Sequence, residues 1–195
     1  MTNLIIDHIE ENFGEIEKGW DFRISKLPNF QVVECSNGLL ENITTIISVG
    51  LAQHKLKSRR SEKIIRHEIL LSFDKDCIPS NAVAIIKQIA ETCVETREAL
   101  LENDIIKKVG IVFDNHKFDS LWVKPPVFFN ENSFSYSGSD VSGDICIFAW
   151  LIPITTKERC YIEENGSEAF ENVLETVSVD FFDLNRNCIF CESDE

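Results

Sequence analysis

Apolar residues along the chain follow two rhythms, and the switches between them mark the elements. Leu4, Ile5, Ile9 and Phe13 recur at helical spacing, with Asp7, Glu10 and Glu11 elsewhere. This predicts an amphipathic helix over residues 3–14, weakened beyond that by Gly14 and Gly19. Residues 30–35 read as a short strand. ITTIISVGL at 43–51 and IIRHEILLSF at 64–73 are stronger strands, rich in β-branched side chains. Pro79-Ser80-Asn81 then opens a long helical pattern, with Ser80 or Asn81 as its cap. Ala82, Ile86, Ile89, Cys93 and Leu100 form its apolar stripe, predicting a helix over 81–102 that packs on a sheet through Ile86 and Ile89.

The second half repeats the alternation. Residues 109–113 and 120–123 read as strands; Pro125-Pro126 interrupts the second, and 127–129 resumes it. Residues 130–143, rich in Ser, Gly, Asp and Asn, read as a loop. The apolar run at 145–152 predicts a central strand buried on both faces. Thr155-Thr156-Lys157-Glu158 is a capping-box pattern for a helix reaching about Glu164. A further helix is expected from Ser167 to about Thr176, turning Phe170, Val173, Leu174 and Val177 inward. A last strand is expected at 179–182, then a frayed tail. Strands cluster in the middle, with helices before, between and after them, and neither a repeat nor a linker divides the chain. The expectation is one α+β domain over residues 1–195, a mixed β-sheet packed by helices.

Charge changes this picture. The net charge is −14, with 33 acidic against 19 basic residues. Nucleic acid and anionic membrane are repelled, and a basic protein partner is attracted at long range; acidity also serves solubility alone. Glu91, Glu95, Glu98 and Glu102 step by four, three and four. Glu168, Glu171 and Glu175 make a second row, with Glu164 as an extension. Either row also fits the solvent face of an amphipathic helix. Residues 53–63, QHKLKSRRSEK, hold the basic cluster, with His54, Lys55, Arg59 and Arg60 as candidate contacts. A solvated hairpin loop would look the same.

Motifs for chemistry are missing. GxxxxGK[ST], a GxGxxG after a strand, and GxSxG are all absent. His67-Glu68 opens like a zincin motif, but position 71 is Leu. Asp74-Lys75-Asp76 opens like a calcium loop, but position 79 is Pro. Cys188 and Cys191 form a lone CxxC without the second pair that zinc prefers. Seven scattered cysteines, no basic-then-apolar leader and no apolar run of about 20 residues suggest reduced thiols in a cytoplasmic protein. No catalytic residue, metal or cofactor is expected.

Several segments resemble the suppressor of fused family. Ile46-Ile47-Ser48-Val49-Gly50-Leu51 is similar to its strand ending S/T-x-G-L-S, and Arg66-His67-Glu68-Ile69-Leu70-Leu71 to the strand that follows. Trp122-Val123-Lys124-Pro125-Pro126-Val127-Phe128-Phe129 resembles its Pro-aromatic segment. Trp150-Leu151-Ile152-Pro153-Ile154-Thr155, with Asn165-Gly166-Ser167-Glu168-Ala169-Phe170, resembles its L-P-I-T stretch. Val179-Asp180-Phe181-Phe182-Asp183-Leu184-Asn185-Arg186 resembles its closing D-x-x-R. The order holds over about residues 30–187.

The animal member carries a further C-terminal domain and sequesters a zinc-finger transcription factor; stand-alone domains of this length resemble bacterial members, several of them immunity proteins of toxin systems. The resemblance implies the second group. One departure is that Ala52-Gln53-His54-Lys55 stands where the family favours Ser-Asp and an acidic or neutral ligand loop, so the animal ligand is not expected here. Three functions remain open: an immunity protein neutralising a cognate toxin, a peptide-binding module acting by strand addition, and an enzyme.

Overall fold

The computed structural model describes residues 4–107, 110–114, 116–141 and 144–190. Helix α1 (Leu4–Phe13) buries Ile5, Ile9 and Phe13. It ends at Gly14, whose φ of +106° turns the chain, and where a Cβ would meet the Ser36 carbonyl oxygen at 2.2 Å. The chain then runs straight into β1 (Glu15–Ile24), which hairpins onto β2 (Leu27–Ser36). The strand β1 was not expected. Its pairing shifts register between Ile16 and Lys18, beside Gly19, and this breaks the alternation that would have announced it.

Next come β3 (Ile43–Val49), a 3-10 turn (Leu51–Gln53), β4 (Leu56–Lys57) and β5 (Ile64–Asp74). They are followed by α2 (Ala82–Thr96), β6 (Ile105–Lys107), β7 (Phe118–Lys124), β8 (Ser135–Ser137), β9 (Ile145–Thr155), α3 (Thr156–Asn165) and α4 (Ser167–Leu174). The sheet order is β1-β2-β3-β5-β9-β7-β6, with β4 paired to β5 and β8 to β9. Only β5–β9 is parallel among these pairs, so the sheet is mixed and the fold is α+β. As expected, β9 is central, its apolar run reading into both layers. Ala149 and Leu151 face a core with Ile86 and Ile89 of α2, while Phe148, Trp150 and Ile152 face one with Ile9, Phe13, Ile162 and Phe170. Each of the Leu, Ile and Phe side chains contributes about 1.5–3 kcal/mol by leaving water. Among the described residues no helix is long and apolar enough to cross a membrane.

Several expectations need correction. The long helix stops at Thr96, not near Glu102, because Arg97 takes a left-handed conformation (φ 59°). Residues 97–99 then pair with the hairpin: Lys57 N–H donates to Arg97 O (2.8 Å) and Ala99 N–H to Lys57 O (2.9 Å). Leu100 is buried, but from extended chain. Asn81 stands at the N-cap position as expected, but its side chain makes no cap bond; its amide donates to Val112 O instead. Of the strand expected at 109–113, Val109 lies outside the described residues, and Val112 and Phe113 are buried without strand pairing. Residues 127–129 form a turn, the 130–143 loop contains β8, and 179–182 forms no strand, meeting β5 where Asp74 N–H donates to Phe182 O (3.1 Å). Val177 is exposed. The capping box at Thr155 and Glu158 forms as expected.

Candidate protein-contact surfaces

Three consecutive residues of β5, all buried and all polar, organise one end of the molecule. Glu68 has no solvent exposure. Its Oε1 accepts from the backbone N–H groups of Gly50 (2.9 Å) and Ala52 (3.0 Å). Its Oε2 accepts from the Ser48 hydroxyl and the Leu51 N–H. Gly50 sits at φ +106°, and a Cβ there would approach the Asn29 carbonyl oxygen at 3.0 Å. Burial pushes the Glu68 carboxyl up to about 7, against the pull of those donors. His67, on the other face, accepts from the Leu100 N–H (3.1 Å), and burial lowers it to about 4, keeping it neutral. Arg66 donates to Asp144 and to the carbonyls of Ala52 and Gln53.

Together these three residues pin the turn at 50–53 and the segment at 98–101, and so position the basic hairpin between them. The segments Ser48-Val49-Gly50-Leu51 and Arg66-His67-Glu68 are therefore two halves of one buried clamp. Sequence reasoning dismissed Glu68 as part of a failed zincin motif. The overlooked signal was the run Arg66-His67-Glu68 inside a strand otherwise rich in apolar residues, since charges buried there must find partners or be expelled.

The basic hairpin and the first carboxylate row face each other. Arg59 pairs with Glu98 (3.1 Å) and Asp104 (2.5 Å). Arg60 pairs with Asp104 (2.9 Å) and donates to the Glu102 carbonyl (2.7 Å). Lys124 bridges Glu102 and Glu171, both at 2.7 Å. Farther along α2, Glu95 is held by Lys26 (3.0 Å) and Glu91 by Lys87 (3.1 Å). Glu98 and Glu102 lie off the helix, so the row is not a single helical face, and all four of its carboxylates are paired within the chain. Exposed pairs of this kind stabilise by about 0–1 kcal/mol each. Their larger effect is to neutralise charge that the sequence appeared to offer to a partner.

The second row differs. Glu171 is tied to Lys124, but Glu164, Glu168 and Glu175 are exposed and have no ion pair among the described residues. Their platform is anchored to the sheet. Arg186 donates to both carboxylate oxygens of buried Glu158 (2.6 and 2.9 Å) and to Pro153 O. Burial opposes ionisation of Glu158, yet the Arg186 hydrogen bonds and charge hold its carboxyl below the ordinary value. The closing Asp183-Leu184-Asn185-Arg186 segment thus bolts α3 onto β9.

Of the other expected contacts, His54 is half-buried beside a cleft, its Nε2 without a partner, and Lys55 is exposed. Cys188 accepts from the Thr155 hydroxyl, and Cys191 lies outside the described residues. Among the described residues no group of three or more His, Cys, Asp or Glu is placed to hold a metal ion.

Comparison with known proteins adds to this geometry. A family model described as suppressor of fused protein matches residues 26–187. Over 187 residues the chain is 22% identical to a Bacillus subtilis (strain 168) protein named immunity protein YqcF, covering 90% of this chain and 88% of that one. A suppressor of fused homologue from Neisseria gonorrhoeae FA 1090 superposes with a TM-score of 0.73 at 16% identity, over 97% of this chain and 94% of that chain. The Sufu-Fu complex structure matches with a TM-score of 0.68 at 13% identity, over 96% of this chain and 91% of that chain. At such identities the structural matches speak for the fold.

Proposed function

This chain belongs to the suppressor of fused family, and from that premise we propose that it is a non-enzymatic binding protein, an immunity protein that neutralises a cognate basic protein toxin in the cytoplasm. The relative named an immunity protein spans nearly the whole chain and supports the role. One observation carries the basic-partner reading. In a chain of net charge −14, the carboxylates Glu164, Glu168 and Glu175 are exposed and without an ion pair among the described residues on α3 and the end of α4, whereas the Glu91, Glu95, Glu98 and Glu102 row is already neutralised. A cationic toxin surface steered onto those free carboxylates loses access to its own anionic substrate. Neutralisation by occupancy requires no chemistry from this chain.

The test is co-expression with the product of the adjacent gene. Protection from toxicity, a stable complex, and an association rate that falls as salt rises are the expected results. Lack of both protection and complex removes the immunity role. A complex whose rate ignores salt and survives Glu168→Lys with Glu175→Lys removes the electrostatic contact. A peptide module acting by strand addition is the second reading, favoured by β1 at the edge of the sheet. Two register shifts in β1 blunt that edge.

A further inference from the structure

The basic hairpin is only partly neutralised, and the part left over borders exposed apolar surface. Arg59 and Arg60 turn toward Glu98 and Asp104. Lys55, Lys57 and Lys63 have no carboxylate partner among the described residues, although the chain carries 33 acidic residues. Within residues 53–63 the one acid is Glu62. Lys57 lies directly across the β4–β5 ladder from Ile64, so the two share a face.

Ile64 is 51% exposed and Ile145 is 63% exposed, and both line one cleft of about 450 Å³ with Lys55. The acid in that cleft, Asp144, is already bound by Arg66 at 2.7 Å. Lys55 also lines a neighbouring cleft of about 490 Å³ with Arg97. Arg97 likewise has no ion pair among the described residues, and its left-handed backbone is held by the bond to Lys57. Isolated exposed isoleucines are unremarkable. Two of them in one cleft with Lys55, beside Lys57 and Lys63 of the same hairpin, form an amphipathic surface on an acidic protein.

We propose that this surface, Lys55, Lys57, Lys63, Ile64 and Ile145, docks a short acidic segment of a protein partner that carries a branched apolar side chain. The lysines take its carboxylates and the cleft between Ile64 and Ile145 takes its apolar residue. Charge complementarity selects this occupant. A long polyanion such as nucleic acid meets the −14 charge of the whole chain and gains nothing from the isoleucines. A short acidic segment meets only the local positive field, because surface fields fade within about 8–10 Å at physiological salt. Ile145 opens β9, whereas the free carboxylates of α3 and α4 follow its far end, and the site does not depend on the immunity reading.

The experiment uses the isotope-labelled full chain and a synthetic ten-residue peptide alternating Glu and Leu, followed by amide chemical-shift perturbation. Shifts are expected around Lys55, Ile64 and Ile145. They should weaken by about three- to tenfold when Leu is replaced by Ser in the peptide, or in the variants Lys55→Glu with Lys63→Glu, and Ile145→Ser. All of these positions are exposed, so the spectrum elsewhere should match wild type. The proposal is overturned by an absence of shifts at these residues at millimolar peptide. It is also overturned by equal binding of oligothymidylate, which marks a general anion patch. Self-association by sedimentation that vanishes in the Lys55→Glu, Lys63→Glu variant would assign the patch to a second copy instead. None of these readouts involves the toxin or Glu168, so failure here leaves the proposed function standing, and the reverse holds.

Discussion

Glu68 and Glu158 are glutamates without solvent exposure, and Glu168 and Glu175 are exposed glutamates without an ion pair among the described residues. Each buried carboxylate accepts four hydrogen bonds, Glu68 from Ser48 and the turn at 50–52, Glu158 from Arg186, the Thr155 backbone and Ile189, and they fasten segments far apart in sequence. The exposed ones make no side-chain hydrogen bond or ion pair among the described residues. A buried carboxylate stripped of donors is costly, whereas an exposed one can be reversed at almost no cost to the fold. Placement, not residue type, therefore separates charge that builds this protein from charge that can be offered to another. The first carboxylate row lies between these extremes: half-buried at Glu91 and Glu98, exposed at Glu95 and Glu102, and occupied by Arg59, Lys26, Lys87 and Lys124.

The largest effect should come from breaking the buried pair. Arg186→Ala leaves Glu158 charged and unpaired, and is expected to cost about 3–5 kcal/mol in urea unfolding. Replacing both residues, Glu158→Met with Arg186→Leu, should cost less than the single change. A single-variant loss below about 1 kcal/mol would place the pair with the surface charges. Next is Glu68→Ala, which orphans the Ser48 hydroxyl and the N–H groups of Gly50, Leu51 and Ala52. A loss of about 3 kcal/mol is expected, with faster hydrogen exchange at those amides; unchanged exchange would show that the turn holds without its clamp.

Between these effects and the surface lies a pH dependence with two opposing parts. Folded Glu68 titrates at about 7 against an ordinary 4.5, so it retains a proton that the unfolded chain has lost, and its contribution to stability falls as pH rises through that window. Folded His67 titrates at about 4 against an ordinary 6.5, so the unfolded chain binds its proton first, and its contribution is lost as pH falls through that window. The slopes oppose each other and overlap in the wild-type chain. Relative to wild type, His67→Gln should make stability fall more steeply with rising pH, and Glu68→Gln should make it rise. Urea midpoints measured from pH 4 to 7 check both signs.

The smallest effects separate the two rows. Glu98→Lys places a cation against Arg59 and should cost about 0.5–1 kcal/mol, whereas Glu168→Lys should stay within about 0.5 kcal/mol. With the toxin in hand the ranking should reverse: Glu168→Lys with Glu175→Lys slows association more than Glu98→Lys does. Equal slowing by both rows would mean that the ion pairs of the first row open on binding.

By itself the sequence determined what depends on neighbours a few residues away, or on burial so complete that every position must be apolar. The α1 stripe, the Thr155 capping box, the β9 run and the α+β class belong here, as does the order of segments that marks the family. Tertiary structure alone decided the rest. Whether residues 15–24 pair depends on β2, since a bulged, half-polar strand has little preference of its own. The stop of α2 at Thr96 depends on Lys57, about forty residues away, bonding the backbone on both sides of Glu98. The fate of each carboxylate row depends on where Arg59, Arg60 and Lys124 come to lie, and Arg59 reaches Glu98 across 39 residues. Helical spacing reports which carboxylates share a face; whether that face is free is decided by side chains that spacing does not see, because Coulomb pairing acts through space and periodicity only along the chain.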